Sequence, residues 1–181
     1  AGCAVLSKPS EFTPLAWRAA VAGWKEIGAS DVLDVVFGAG ETGAAVVDVV
    51  DYVMFTGSAK TGRRVAAAAA QRLIPCCMEL GGKDAMIVCA DADIDRAVDG
   101  AVWAGFFNAG QSCISVERVY VEAPAYDEFV QKLVAKTSEL RLGMDANRDF
   151  SCDVGAMANE QQLAIVSRHV DDAVRKGAKV L

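Results

Sequence analysis

The chain has 181 residues, 53% of them hydrophobic and 23% charged, with 18 Lys and Arg against 24 Asp and Glu for a formal net charge of -6. That length suits one domain or parts of two, and the acidic balance argues against nucleic acid or an anionic membrane surface as partner, since both select basic patches. No apolar run approaches the roughly 20 residues of a membrane span.

The first segment, Ala1-Gly2-Cys3-Ala4-Val5-Leu6, has no basic stretch before it and does not resemble a secretory signal. It reads as a strand entered midway, over 4–6, as in a chain cut from something longer. Thr13 is expected to cap a helix with Pro14 at its first position. Leu15, Trp17, Val21, Trp24 and Ile27 would form its apolar face, and Gly28 its end. A strand over 31–37 leads to a glycine-rich loop, followed by a short helix over 42–50 and a strand over 51–55. Thr56-Gly57-Ser58 then turns the chain into a helix running to about Leu73. Residues 74–80 are extended until Gly81-Gly82.

The pattern restarts with a strand over 85–89. Asp93 caps a helix that buries Ile94, Ala97, Val98, Ala101, Val102 and Phe106, and Asn108-Ala109-Gly110-Gln111 breaks it. A strand over 116–122 follows. Pro124 opens a helix whose inward residues are Tyr126, Phe129, Val130, Leu133 and Val134. Residues 144–158 form a long loop before a last helix with Leu163, Val166, Val170 and Val174 on one face. Alternating strands and helices predict an α/β fold, with a boundary near Gly81-Gly82.

Gly38-Ala39-Gly40-Glu41-Thr42-Gly43 fits the G-x-G-x-x-G pattern between a strand and a helix. Glycines let backbone N–H groups approach a pyrophosphate at a helix N-terminus, but Glu41 would repel one, and a plain strand-to-helix turn explains the loop equally well. Phe55-Thr56-Gly57-Ser58 is a second phosphate candidate. Lys60, Arg63 and Arg64 follow it in the first turns of a helix, where cations oppose the dipole unless an anion is bound; an ordinary capped helix is the alternative. In Lys8-Pro9-Ser10-Glu11, a donor and an acceptor three residues apart could hold vicinal ribose hydroxyls, or simply line a surface loop.

Six cysteines, Cys3, Cys76, Cys77, Cys89, Cys113 and Cys152, make no Cys-x-x-Cys pair. No metal site is expected, and a reduced, cytoplasmic protein is. Cys3, Cys76, Cys77 and Cys89 fall in apolar strand segments, where cysteine acts as a small hydrophobe; Cys152 falls in a polar loop. Cys113 follows a helix exit, where free N–H groups could hold an oxyanion formed by thiolate attack. The one histidine, His169, lies on an amphipathic helix and reads as a helix-edge residue. If Cys113 acts, His169 is not expected to be its base. Glu79 closes an apolar strand beside two glycines: partial burial there would raise its pKa, as suits a general base, and a strand-end charge pointing to water is the alternative.

Together these segments resemble the aldehyde dehydrogenase superfamily. Glu79-Leu80-Gly81-Gly82-Lys83 is similar to its glutamate motif and Phe107-Asn108-Ala109-Gly110-Gln111-Ser112-Cys113 to its cysteine motif, with Lys8-Pro9-Ser10-Glu11 and Phe55-Thr56-Gly57-Ser58 ahead of them in the family's order. The resemblance runs over essentially the whole chain. It implies an aldehyde-dehydrogenase-like α/β fold: the later part of a parallel Rossmann-type cofactor domain over 1–80 and the start of an α/β catalytic domain over 81–181. It implies Cys113 as nucleophile and Glu79 as base in oxidising an aldehyde to an acid through a thiohemiacetal and a thioester. The cofactor implied is NAD, with NADP as the alternative; Glu11 disfavours a 2′-phosphate. Its residues would be Lys8, Ser10 and Glu11 at the adenosine ribose, Gly40 toward the adenine side, and Phe55, Gly57, Ser58 and Gly81.

Residues 1–11 and 105–122 are similar to bacterial succinate-semialdehyde dehydrogenases, which implies succinate semialdehyde as substrate. The family's second oxyanion donor, its nicotinamide-ribose carboxylate and its oligomerising strand are not in the sequence, so the chain alone is expected to have little activity, and the full-length protein to be a homo-oligomer. Two other readings stay open: a conventional Rossmann dehydrogenase using Gly38, Gly40 and Gly43, and a non-catalytic module.

Overall fold

The computed structural model describes residues 2–28, 32–144 and 149–181. The chain divides into two compact units, residues 1–81 and 82–181.

The first unit contains two parallel strand pairs, each joined by one helix. Strand β1 (Val5–Ser7) leads through helix α1 (Pro14–Glu26) to β2 (Leu33–Val35), with Ser7 opposite Val35. Helix α2 (Gly40–Val47) connects to β3 (Val53–Thr56), and α3 (Ala59–Gln71) returns the chain to β4 (Cys76–Glu79), with Thr56 opposite Glu79. Val47, Val53 and Ala69 form the buried centre, with Val50, Phe55, Val65, Ala68 and Ile74 around it. The Arg72 guanidinium caps the end of α2, donating to the carbonyls of Val47 at 2.5 Å and Val50 at 2.6 Å. Those carbonyls lie where a helix leaves acceptors unsatisfied.

The second unit repeats the plan. Strand β5 (Asp84–Val88) leads through α4 (Ile94–Phe106) to β6 (Val116–Val121), parallel and adjacent. Helix α5 (Ala123–Ser138) packs on α4, and α6 (Glu160–Arg175) follows the long loop. Val88, Val98, Ala101, Val102 and Phe129 make the core. Asp93 accepts from the Arg96 N–H at 3.1 Å and caps α4 as its sequence position predicts.

Several local expectations are corrected. Thr13 holds the N-cap position of α1 but its side chain makes no cap bond, and the fixed φ of Pro14 starts the helix instead. Helix α2 begins at Gly40, two residues before the expected start and inside the glycine pattern, because Glu41 in its first turn suits the positive helix end. The strand expected over 31–37 is Leu33–Val35, and Asp31 lies outside the described residues. In α5, Phe129 is buried, whereas Tyr126 and Val134 are exposed. The apolar faces expected on α6 and α1 are present but uncovered: Leu163, Val166, Val170 and Val174 are all exposed, as are Leu15, Trp17 and Trp24 of α1 and Ile27 at its C-cap, and Val21 alone of that stripe is buried. Periodicity marks which face is apolar and not what covers it.

None of the six cysteines is buried: Cys77 and Cys152 are half-buried and the other four exposed. Among the described residues each short strand has one partner, Cys76 and Cys77 of β4 do not act as core hydrophobes, and Cys3 and Cys89 lie just outside β1 and β5.

Candidate active site

In the first unit the site residues collect at the carboxyl ends of the two strand pairs, where open α/β sheets place ligands. After β1, the Lys8 ammonium donates to the carbonyls of Pro9 at 2.6 Å and Gly38 at 2.9 Å, and Glu11 Oε2 stands 3.7 Å away. Its stem passes Gly43, where an added Cβ would stand 3.5 Å from Lys8 Cδ. Lys8, Glu11 and the loop from Gly38 to Gly43 are thus one cluster. Gly38 has φ 151° and no room for a side chain: a Cβ would meet Thr42 Oγ1 at 2.0 Å. The Ser10 hydroxyl accepts from the Phe12 N–H at 3.3 Å and shapes the turn between Lys8 and α1. Gly40, the first residue of α2, is exposed.

The second cluster lies at the ends of β3 and β4. The Gly57 N–H donates to the Glu79 carbonyl at 3.0 Å, one step beyond the Thr56–Glu79 register pair. Ser58 then caps α3, accepting from the Thr61 N–H at 3.2 Å. A Cβ on Gly57 would approach the Phe55 ring at 2.6 Å, and one on Gly62 would meet Leu80 at 2.7 Å. Phe55, Gly57, Ser58 and Glu79 are therefore held together. The side chain of Glu79 is exposed, which corrects the expected partial burial: it closes a two-stranded edge with nothing laid over it among the described residues. Gly81 is exposed and ends the unit.

Cys113 belongs to the second unit. Helix α4 ends in a short 3-10 turn, Phe107–Gly110, in which Asn108, Ala109 and Gly110 all adopt left-handed φ values of 53°, 59° and 72°. Asn and Gly tolerate that region; Ala109 carries strain there of about 1–2 kcal/mol. The Asn108 amide donates to the Gln111 carbonyl at 3.1 Å, and the Gln111 amide donates to the Asn108 carbonyl at 2.9 Å. Gln111 Oε1 accepts from the Ala158 N–H at 2.7 Å and pins the long loop.

Next comes a β-turn closed by the Ser115 N–H on the Ser112 carbonyl at 3.2 Å. Cys113 is its first corner residue and is exposed. Among the described residues nothing accepts the Cys113 N–H, as expected at that corner. A thiol beside an unpaired N–H can add to a carbonyl and hold the resulting oxyanion.

Two residues near this turn were not singled out in the sequence. Ser115 is the buried polar residue among those described, 4% exposed, and Glu117 accepts from it. A hydroxyl two residues before a carboxylate was the available signal. Among the described residues no group of three His, Cys, Asp or Glu side chains could hold a metal ion, and no helix is long and apolar enough to cross a membrane.

The family model for the aldehyde dehydrogenase family matches residues 1–181. A Mycolicibacterium smegmatis protein provisionally named a succinate-semialdehyde dehydrogenase (NADP(+)) is 45% identical over 100% of this chain and 35% of its own length. The 4,4'-diapolycopene aldehyde oxidase of Methylomonas sp is 42% identical over 99% of this chain and 33% of its own. Of solved structures, Escherichia coli lactaldehyde dehydrogenase matches with TM-score 0.93 and 37% identity, over 98% of this chain and 38% of that one. Staphylococcus aureus betaine aldehyde dehydrogenase, solved with NAD+, matches with TM-score 0.89 and 32% identity, over 99% and 36%. The chain spans about a third of the length of the curated relatives it matches.

Proposed function

Because the chain belongs to the aldehyde dehydrogenase family, we propose that it is the part of an NAD(P)-dependent aldehyde-oxidising enzyme that carries the nucleophile Cys113 and the general base Glu79. The observation that carries this reading is the turn at Cys113: an exposed thiol at a corner, beside an N–H with no acceptor among the described residues. In this reading residues 1–80 are the later part of the cofactor domain and 81–181 the start of the catalytic domain, a division supported by the two compact units, 1–81 and 82–181.

The cofactor's chemistry suits the groups present. Lys8 offers protons and Glu11 lone pairs at the end of β1, a set that matches a vicinal diol, and Ser10 shapes their turn. Gly57 and the N-cap Ser58 at the start of α3 suit an anion, and Phe55, Gly81 and Gly40 at the start of α2 complete the proposed set. When bound, NAD or NADP accepts the hydride released from the substrate carbon.

The protein's own part begins with the Cys113 thiolate. It attacks the aldehyde carbon, forming a C–S bond, and the carbonyl electrons move to oxygen, where the Cys113 N–H donates to the oxyanion. Loss of hydride from that carbon reforms C=O as a thioester. Glu79 takes a proton from water, the hydroxide adds to the thioester, and the C–S bond breaks to return the thiolate and release the carboxylic acid. Exposure leaves Glu79 free to reach water.

Succinate semialdehyde is the substrate we favour, supported by the Mycolicibacterium relative's name. Six free cysteines support a reducing, cytoplasmic setting. The open apolar faces of α1 and α6 support further packing, including a homo-oligomer, in the full-length protein.

Mass-mapped alkylation by iodoacetamide, with and without NAD, tests the site. Preferential labelling of Cys113 that NAD alters is expected. Labelling of Cys113 at the rate of the other cysteines and indifferent to NAD would overturn the assignment.

A further inference from the structure

Strand β6 carries a bulge immediately after the cysteine turn. Asp84 pairs with Val116 and Ala85 with Arg118, so Glu117 is the extra residue in the β5–β6 ladder. A bulge re-aims a side chain, and here it turns the Glu117 carboxylate two ways. Oε2 accepts from the Asp84 N–H at 2.6 Å and Oε1 accepts from the Ser115 hydroxyl at 3.2 Å. The next residue, Arg118, donates to the Lys83 carbonyl at 2.5 Å. Two consecutive residues of β6 thus grip two consecutive residues at the entry to β5.

Ser115 connects this grip to the turn. Its hydroxyl has one proton and three oxygens within reach: the Ser112 carbonyl at 3.0 Å, Glu117 at 3.2 Å and the Gly110 carbonyl at 3.4 Å. The Ser112 carbonyl already accepts the Ser115 N–H. A carboxylate is the stronger acceptor, so the proton goes to Glu117. If Glu117 is lost, the buried hydroxyl falls back on the Ser112 carbonyl, and its tie to the bulge is gone.

We propose that Glu117 and Ser115 are positioning residues for Cys113: through the bulge they tie the nucleophile's turn to the start of β5 and keep the thiol and its N–H at the outer corner. Resting on the assignment of Cys113 as nucleophile, this adds residues that touch neither substrate nor cofactor. Glu117 is itself exposed, so its loss alters local placement more than overall stability.

The test is the alkylation rate of each cysteine in the full chain, compared among wild type, Ser115→Ala, Glu117→Ala and Glu117→Gln. Gln keeps one carbonyl oxygen and so can restore one of the two bonds. Ser115→Ala and Glu117→Ala should slow Cys113 alkylation by about threefold or more, with the other five rates unchanged and Glu117→Gln intermediate, because thiolate reactivity follows its local environment. Cys113 rates unchanged or faster in both alanine variants would overturn the proposal. So would a common change at all six cysteines, which a merely structural role produces. Addition of NAD separates the two readings: a wild-type rate indifferent to NAD counts against the enzyme assignment, whereas only the variant series counts against the positioning role.

Discussion

The Gly57 N–H donates to the Glu79 carbonyl at 3.0 Å, so the phosphate-candidate turn after β3 is fastened by its backbone to the residue that carries the proposed base. Little space surrounds that bond. A Cβ at Gly57 would meet the Phe55 ring at 2.6 Å.

Gly57→Ala should therefore destabilise the first unit by about 1–3 kcal/mol, the usual cost of overpacking. Urea denaturation measures it, and the double variant Phe55→Leu with Gly57→Ala should recover part of the loss. If Gly57→Ala unfolds at the wild-type midpoint, the close approach does not exist in solution.

Phe129 is 1% exposed and stands among Val88, Val98, Ala101 and Val102. Replacing it with alanine removes the largest buried side chain of that core. A loss of about 3–5 kcal/mol is expected for such a truncation. A shift below 1 kcal/mol in the denaturation curve of the second unit would show that α5 does not pack there.

The long loop is held by Arg141, which donates from its side chain and its backbone N–H to Asp153. The side-chain hydrogen bond first, and the backbone bond next, hold the Asp153 carboxyl well below its ordinary value of 3.8. The same hydrogen bond raises the Arg141 guanidinium. A depressed folded pKa contributes stability that is complete above the unfolded value and is lost as pH falls through the folded one. The stability gap between wild type and Asp153→Asn should be constant from pH 7 to about pH 5 and close only below about pH 4. Urea midpoints of the two proteins across that range provide the check, and a gap that closes between pH 7 and 5 would rule the pair out.

Glu11 is half-exposed beside Lys8, and the proposed cofactor site sets its carboxylate against the 2′ position of an adenosine ribose. NAD should bind more tightly than NADP, and Glu11→Ser should narrow the ratio by about tenfold, the effect of removing a charge repulsion near 1.4 kcal/mol. Calorimetric titration with each dinucleotide reads the ratio directly. Tighter NADP binding by the wild type, as the NADP(+) in the Mycolicibacterium relative's name suggests for that protein, would contradict the role given to Glu11.

Features governed by neighbours in sequence were legible before the structure. Ser58 and Asp93 cap their helices because an oxygen three residues ahead of a free N–H needs nothing else. Asn108 and Gly110 signalled the break after α4, but Ala109 did not, since alanine rarely takes a left-handed φ. The G-x-G-x-x-G pattern marks Gly40 as loop, yet at a first helical position the helix penalty of glycine hardly applies and α2 begins there. The pairing of Glu117 with Asp84 depends on a bulge, and a bulge has no mark in the alternation of apolar and polar residues. The apolar stripes of α1 and α6 are legible in the sequence and their exposure is not, because a stripe does not name its cover.

Each parallel pair, β1 with β2, β3 with β4 and β5 with β6, is made of strands separated by a single helix or by that helix and one short turn. Among the described residues no strand waits for a partner from far along the sequence. Parallel sheets ordinarily fold slowly because loop closure must precede contact, but here every closure is short. A ribosome releasing this chain would let each pair zip as its second strand emerges, so the turn that presents Cys113 can be set while α6 is still being synthesised.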